Sequence, residues 1–184
     1  LPIDFLVASG HKFHGPKGVG FAFIKKNTPI TALLVGGEQE KGLRAGTEAI
    51  HQIAGIAKAL ELAYEKLESE RNSIFEIKKY TIEKLSAHFP TIKFNGGVET
   101  FYSILNVQLP LSTEKAAMLL FELDIKGIAV SRGSACQSGS TKPSHVLVEF
   151  LSEMELKKPN IRLSFNHQNT KEEIDYFVSC LAAM

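Results

Sequence analysis

Short apolar runs and polar, glycine-bearing loops alternate over the first fifty residues. Ile3 to Val7 predicts a buried strand and Val19 to Ile24 a second one. Between them SGHKFHGPKG, residues 9 to 18, holds three Gly and one Pro and predicts a loop. A further apolar stretch, Ile30 to Val35, ends in Gly36 and Gly37, and the polar loop GGEQEKGLRAGTE leads to about Glu48. The period then becomes helical through Ile50, Ile53, Ala54, Ala57, Leu60, Leu67, Ile74, Ile77 and Leu85, with no Gly after Gly55 and no Pro before Pro90. This predicts one long helix, or two nearly collinear ones broken near Ser69 to Ser73. A helix of that length suits a bridge between domains, so a boundary is expected near residue 67, dividing the chain into 1–67 and 68–184.

From Thr91 onward, strand-like runs at 92–94, 103–109, 128–131 and 161–165 alternate with helical ones at 114–123, 144–151 and 171–183. Such alternation predicts an α/β or α+β layer structure. The last helix is marked by a capping box, Thr170 with Glu173, and by Ile174, Phe177, Val178 and Leu181 on one face. Cys180 lies beside that stripe and reads as a small buried hydrophobe.

The chain has 184 residues, 44% hydrophobic and 22% charged, which excludes global disorder. Its 21 Lys and Arg against 20 Asp and Glu, without a basic cluster, give no electrostatic footprint for nucleic acid or an anionic membrane. No window approaches the roughly 18 consecutive apolar residues of a membrane span. The first residues lack a basic stretch followed by an apolar one, so no export signal is expected, and two cysteines favour a reducing, cytoplasmic setting over a disulfide framework. Leu1 leads straight into an apolar run without an initiator Met, which predicts the C-terminal part of something longer.

Three features carry chemistry. Lys12 follows a strand in a Gly-rich loop beside Ser9 and His11; an amine there can form a Schiff base with an aldehyde cofactor, and the hydroxyl and imidazole suit a phosphate. By itself, such a lysine is more commonly a solvated loop charge, and the GxxxxGK[ST] phosphate loop is absent. Cys136 lies in SRGSACQSGSTK, residues 131 to 142, with Arg132 and Lys142 near enough in sequence to favour a thiolate; a nucleophile and an inert exposed thiol are both open. Arg162 stands inside the apolar run NIRLSF and needs an anionic partner, with a structural Asp or Glu favoured over a substrate carboxylate. The six histidines show no zinc spacing, so no metal is expected; His51 and His88 read as surface or interface residues of the long helix.

Taken together, DFLVASGHKFHGPKGVG at 4–20, GGEQEKGLRAGTE at 36–48, SRGSACQSGS at 131–140, SHVL at 144–147 and IRLSF at 161–165 resemble the class V aminotransferase group of pyridoxal-phosphate enzymes. Within that group they most resemble the cysteine desulfurases of the NifS and IscS type. The Ser-Ala-Cys loop separates desulfurases from ordinary class V transaminases.

The resemblance implies the C-terminal part of a fold-type-I transferase. Residues 1–67 would end the large cofactor domain and 68–184 would form the small α+β domain, the two joined by the long helix. It implies that Lys12 carries pyridoxal 5'-phosphate, that Ser9 and His11 bind its phosphate, and that Thr47 reaches the partner subunit's cofactor across a homodimer. Cys136 becomes the nucleophile and Arg162 the grip on the carboxylate of L-cysteine, which reverses the structural reading of that arginine. A sulfur-acceptor protein such as an Fe–S scaffold is the implied partner. The family's pyridine-binding aspartate and ring-stacking histidine would precede Leu1. Asn166 departs from the family's frequent Gly, and Arg132 precedes the Gly of the cysteine loop. A selenocysteine lyase or another class V enzyme, and a non-catalytic persulfide carrier or interaction module, are the alternatives.

Overall fold

The computed structural model describes residues 2–132 and 144–184, with residues 113–117 described by backbone alone. It divides into two compact units, Leu1–Leu67 and Glu68–Met184.

In the first unit β1 (Phe5–Ser9) and β2 (Gly20–Ile24) pair antiparallel, Phe5 against Ile24 and Ser9 against Gly20. The turn Gly10–Phe13 continues directly from β1, and α1 (Ile50–Glu65) packs its Ile56 side chain against Gly10. The stretch 30–35 forms no regular element: Leu33 and Val35 are 93% and 82% exposed. The helix ends at Lys66, and α2 (Leu67–His88) begins one residue later. The interruption falls before the serines that sequence points to, because Ser73 donates its hydroxyl to the Ser69 carbonyl at 3.0 Å and is absorbed into the helix.

In the second unit β3 (Lys93–Asn95), β4 (Ile104–Gln108) and β5 (Asn160–Ser164) form an antiparallel sheet in that order. Strand alternation sends Leu105, Val107, Ile161 and Leu163 to one face. There they meet Ile74 and Leu85 of α2, Leu119 and Leu123 of α3 (Thr113–Ile125), and Ile174, Phe177, Val178 and Leu181 of α5 (Lys171–Ala182). This is a two-layer α+β core, and Cys180 is buried in it as a small hydrophobe. The capping box of α5 is present as the sequence predicts.

Two further elements, both in the second unit, differ from expectation, as does β1, which is predicted buried and is largely exposed. Residues 128–131 form no strand; only Ser131 bridges to Arg162. The helical run 144–151 reduces to a 3-10 turn, Leu147–Glu149, and a separate α4 (Glu153–Lys157) follows. Ser152 and Glu155 close a capping box there, restarting the helix two residues after the turn's cap at Phe150.

Candidate active site

Backbone geometry sets the lysine loop. A Cβ on Gly20 would collide with the Ala8 carbonyl oxygen, so the partner of Ser9 across the ribbon has no room for a side chain. The Gly10 amide donates to the Val19 carbonyl and the Gly15 amide to the Gly10 carbonyl, each at 2.9 Å, closing the base of the loop. On α1, a Cβ at Gly55 would meet Pro16 Cγ at 2.6 Å, which brings the loop against the helix backbone.

This arrangement presents Ser9, His11 and Lys12 together at the end of β1 and along the turn that follows, all three exposed. Ser9 occupies the cap position of the turn yet spends no side-chain hydrogen bond on capping. Within four residues the loop therefore offers a hydroxyl, an imidazole and a primary amine. Thr47 lies elsewhere in the same unit, exposed on the 36–48 loop, where the Gly46 amide donates to Gln39 Oε1 at 3.2 Å. His51 and His88 are surface residues, and His88 Nδ1 lies 3.0 Å from the Lys84 carbonyl oxygen.

Arg162 belongs to the second unit, on the sheet face opposite the apolar core. Its neighbour across β4 is Asn106 and its neighbour on the other side is Ser131. The Arg162 amide donates to the Ser131 carbonyl at 2.6 Å, and the Ser131 amide returns a bond at 3.2 Å. The guanidinium Nε is buried without a hydrogen-bond partner, and no described carboxylate forms an ion pair with Arg162. The structural Asp or Glu favoured from burial alone is thus missing among the described residues. Cys136 lies outside the described residues. Asn166 makes an Asx turn, accepting from the Gln168 amide at 2.8 Å.

A polar network that no sequence motif announces lies on the same sheet face. Asn95 Nδ2 donates to Asn106 Oδ1 at 2.7 Å and to Asn160 Oδ1 at 2.8 Å. Asn160 Nδ2 in turn donates to the Glu155 and Lys158 carbonyls at 3.1 and 3.0 Å. The alternation of Asn106 and Gln108 with Leu105, Val107 and Leu109 was the available signal. Among the described residues no group of three or more His, Cys, Asp or Glu is placed to hold a metal ion. No described helix is long and apolar enough to cross a membrane.

The class-V aminotransferase family model matches residues 1–177, and the chain belongs to that family. It is 40% identical to the cysteine desulfurase IscS of Clostridium botulinum over 182 residues, which cover 98% of this chain and 46% of that protein. A solved NifS-like protein superimposes with a TM-score of 0.84 at 32% identity, covering 99% of this chain and 46% of the other. A second solved structure, SspA in complex with cysteine, aligns with a TM-score of 0.65 at 28% identity, covering 91% and 45%. The chain therefore spans about half the length of the curated relatives it matches. The α/β architecture is that of the NifS-like fold-type-I enzymes. Enzymes of this family depend on pyridoxal 5'-phosphate. The donor set at residues 9–12 fits that group, since it offers an amine for the aldehyde and a hydroxyl and an imidazole for the phosphate.

Proposed function

We propose that the whole protein is a cysteine desulfurase that converts L-cysteine to L-alanine and passes the sulfur to its own Cys136, supplying Fe–S cluster or thiocofactor assembly in the cytoplasm. What carries this reading is the 40% identity, over nearly all of this chain, to a protein named cysteine desulfurase. In this reading residues 1–67 complete the cofactor domain and 68–184 form the small domain that carries the cysteine loop.

Bound at Lys12, pyridoxal 5'-phosphate would supply an electron sink for bond breaking next to the substrate's amino group. The Lys12 amine holds that group and then moves a proton at the substrate α-carbon. The Ser9 hydroxyl and the His11 imidazole bind the phosphate, and Thr47 reaches the phosphate held by the partner subunit of a homodimer. The Arg162 guanidinium grips the substrate carboxylate, which gives its buried Nε edge an anionic partner. The Cys136 thiolate bonds to the substrate sulfur as the carbon–sulfur bond breaks; the carbon keeps that electron pair, takes a proton and leaves as alanine. The resulting persulfide goes to an acceptor protein such as an Fe–S scaffold.

The test uses the full-length protein. It should be yellow with pyridoxal 5'-phosphate, carry the borohydride label on Lys12 and release sulfide from L-cysteine. Cys136→Ser should abolish sulfide release and leave the colour intact. Unchanged turnover in that variant removes Cys136 from the mechanism. Release of selenide from selenocysteine, with no sulfide from cysteine, moves the protein to the lyases.

A further inference from the structure

The polar face of the β3–β4–β5 sheet carries one row of side chains in register. Asn95 pairs with Asn106, Asn106 with Arg162, and Arg162 with Ser131. Residues directly opposite each other in an antiparallel sheet project to the same face with Cβ atoms about 5 Å apart. Three strands and the bridging segment thus set an amide, a second amide, a guanidinium and a hydroxyl side by side.

The polarity of this row is fixed from one end. Asn95 spends its Nδ2 on the Oδ1 atoms of Asn106 and Asn160, and Asn160 is anchored by the backbone carbonyls of Glu155 and Lys158. Because a carboxamide carries its oxygen and nitrogen on opposite sides of Cγ, an Asn106 oxygen held by Asn95 turns the Asn106 nitrogen away from Asn95. That nitrogen has no acceptor among the described residues. Its cross-strand neighbour Arg162 offers only further donors, including the buried Nε without a partner. The Arg162 Nε is the buried donor of the two, and a buried donor left unmatched costs about 1–3 kcal/mol, so an acceptor able to span both positions, such as a carboxylate, is favoured there.

We infer that Asn106 is a second donor to the substrate carboxylate beside Arg162, and that Asn95 is the positioning residue that holds Asn106 in the orientation to donate. This rests on the desulfurase reading for the substrate's identity, but only on the donor row for the carboxylate. The arrangement selects α-amino acids over the corresponding amines, because only the former bring an anion to the row.

The experiment measures dissociation constants for L-cysteine and for cysteamine, which lacks the carboxylate, from the change in cofactor absorbance of the full-length holoenzyme. Asn106→Asp keeps the oxygen that accepts from Asn95 and replaces the donor with a negatively charged acceptor. It should weaken L-cysteine by about tenfold or more while cysteamine stays within about twofold. Asn106→Ala should weaken L-cysteine less, and Asn95→Ala should move in the same direction as Asn106→Ala with cysteamine again unaffected. Equal weakening of both ligands, or unchanged L-cysteine binding in Asn106→Asp, overturns the proposal. If the wild type releases no sulfide from L-cysteine, the desulfurase reading fails separately. The carboxylate row is then decided by the same variants with L-alanine against ethylamine.

Discussion

Lys78 and Lys79 are neighbours in sequence with opposite fates. Lys79 is a solvated partner of Glu76, whereas Lys78 is 1% exposed and sends its ammonium to the Thr100 carbonyl, the Thr100 hydroxyl and the Phe101 carbonyl at 3.2, 2.8 and 3.1 Å. Three donors meet three acceptors, so the charge is satisfied without a carboxylate, although burial pulls its pKa below the ordinary lysine value. Lys78→Met should fill the volume yet strand those acceptors, lowering stability by about 2 kcal/mol in urea unfolding. Glu155 shows the opposite shift. The Lys93 ammonium, followed by the Ser152 amide and hydroxyl, holds its carboxyl at about 2 against an ordinary 4.5. Its stabilising effect is complete above the ordinary value and lost as pH falls through about 2. Glu155→Gln can still close the capping box but does not titrate, so its thermal midpoint should fall less steeply over that window than the wild type's.

At the scale of elements, short-range signals were legible wherever they act within one turn. The Thr170 and Glu173 box marks α5, and the Gly-rich 9–18 segment marks the lysine loop. The same box at Ser152 and Glu155 was equally readable but fell behind a longer apolar run, and α4 went unpredicted. Gly55 is a different case, since a mid-helix glycine announces a close approach without naming what approaches. The neighbour is Pro16 of the lysine loop. Gly55→Ala gains about 1 kcal/mol of helix propensity. It should nevertheless reduce cofactor uptake and borohydride labelling at Lys12 in the full-length protein, because the new methyl displaces Pro16. Unaltered labelling would show that the loop keeps its shape without that contact.

For the molecule as a whole, the first unit is the exposed one. Both strands of its ribbon are largely uncovered, with Phe5 at 59% and Val7 at 82% exposure, and Gly10 and Ile56 are the buried residues of its described part. A two-stranded ribbon is marginal by itself in water, and open apolar surface invites association. The 184-residue chain alone should therefore bind an apolar-surface dye and stay colourless with pyridoxal 5'-phosphate, while the full-length protein turns yellow. A yellow chain with the label on Lys12 would show that residues 9–12 suffice for the cofactor.

Sequence by itself determined what depends on neighbours along the chain: the strand and helix periods, the caps, the amine, imidazole and hydroxyl of residues 9–12, and the family resemblance. It also singled out Arg162 as a charge in an apolar strand, for which burial alone favours a structural carboxylate that the described residues do not supply and the resemblance a substrate carboxylate. Tertiary structure decided what depends on register and burial. Whether Lys78 or Lys79 faces the core, and which residues flank Arg162, follow from how the strands and helices pack. Asn95, Asn106, Ser131 and Arg162 are far apart in sequence and become one row only when antiparallel pairing fixes which residue lies opposite which, since a one-residue slip would turn each side chain to the other face.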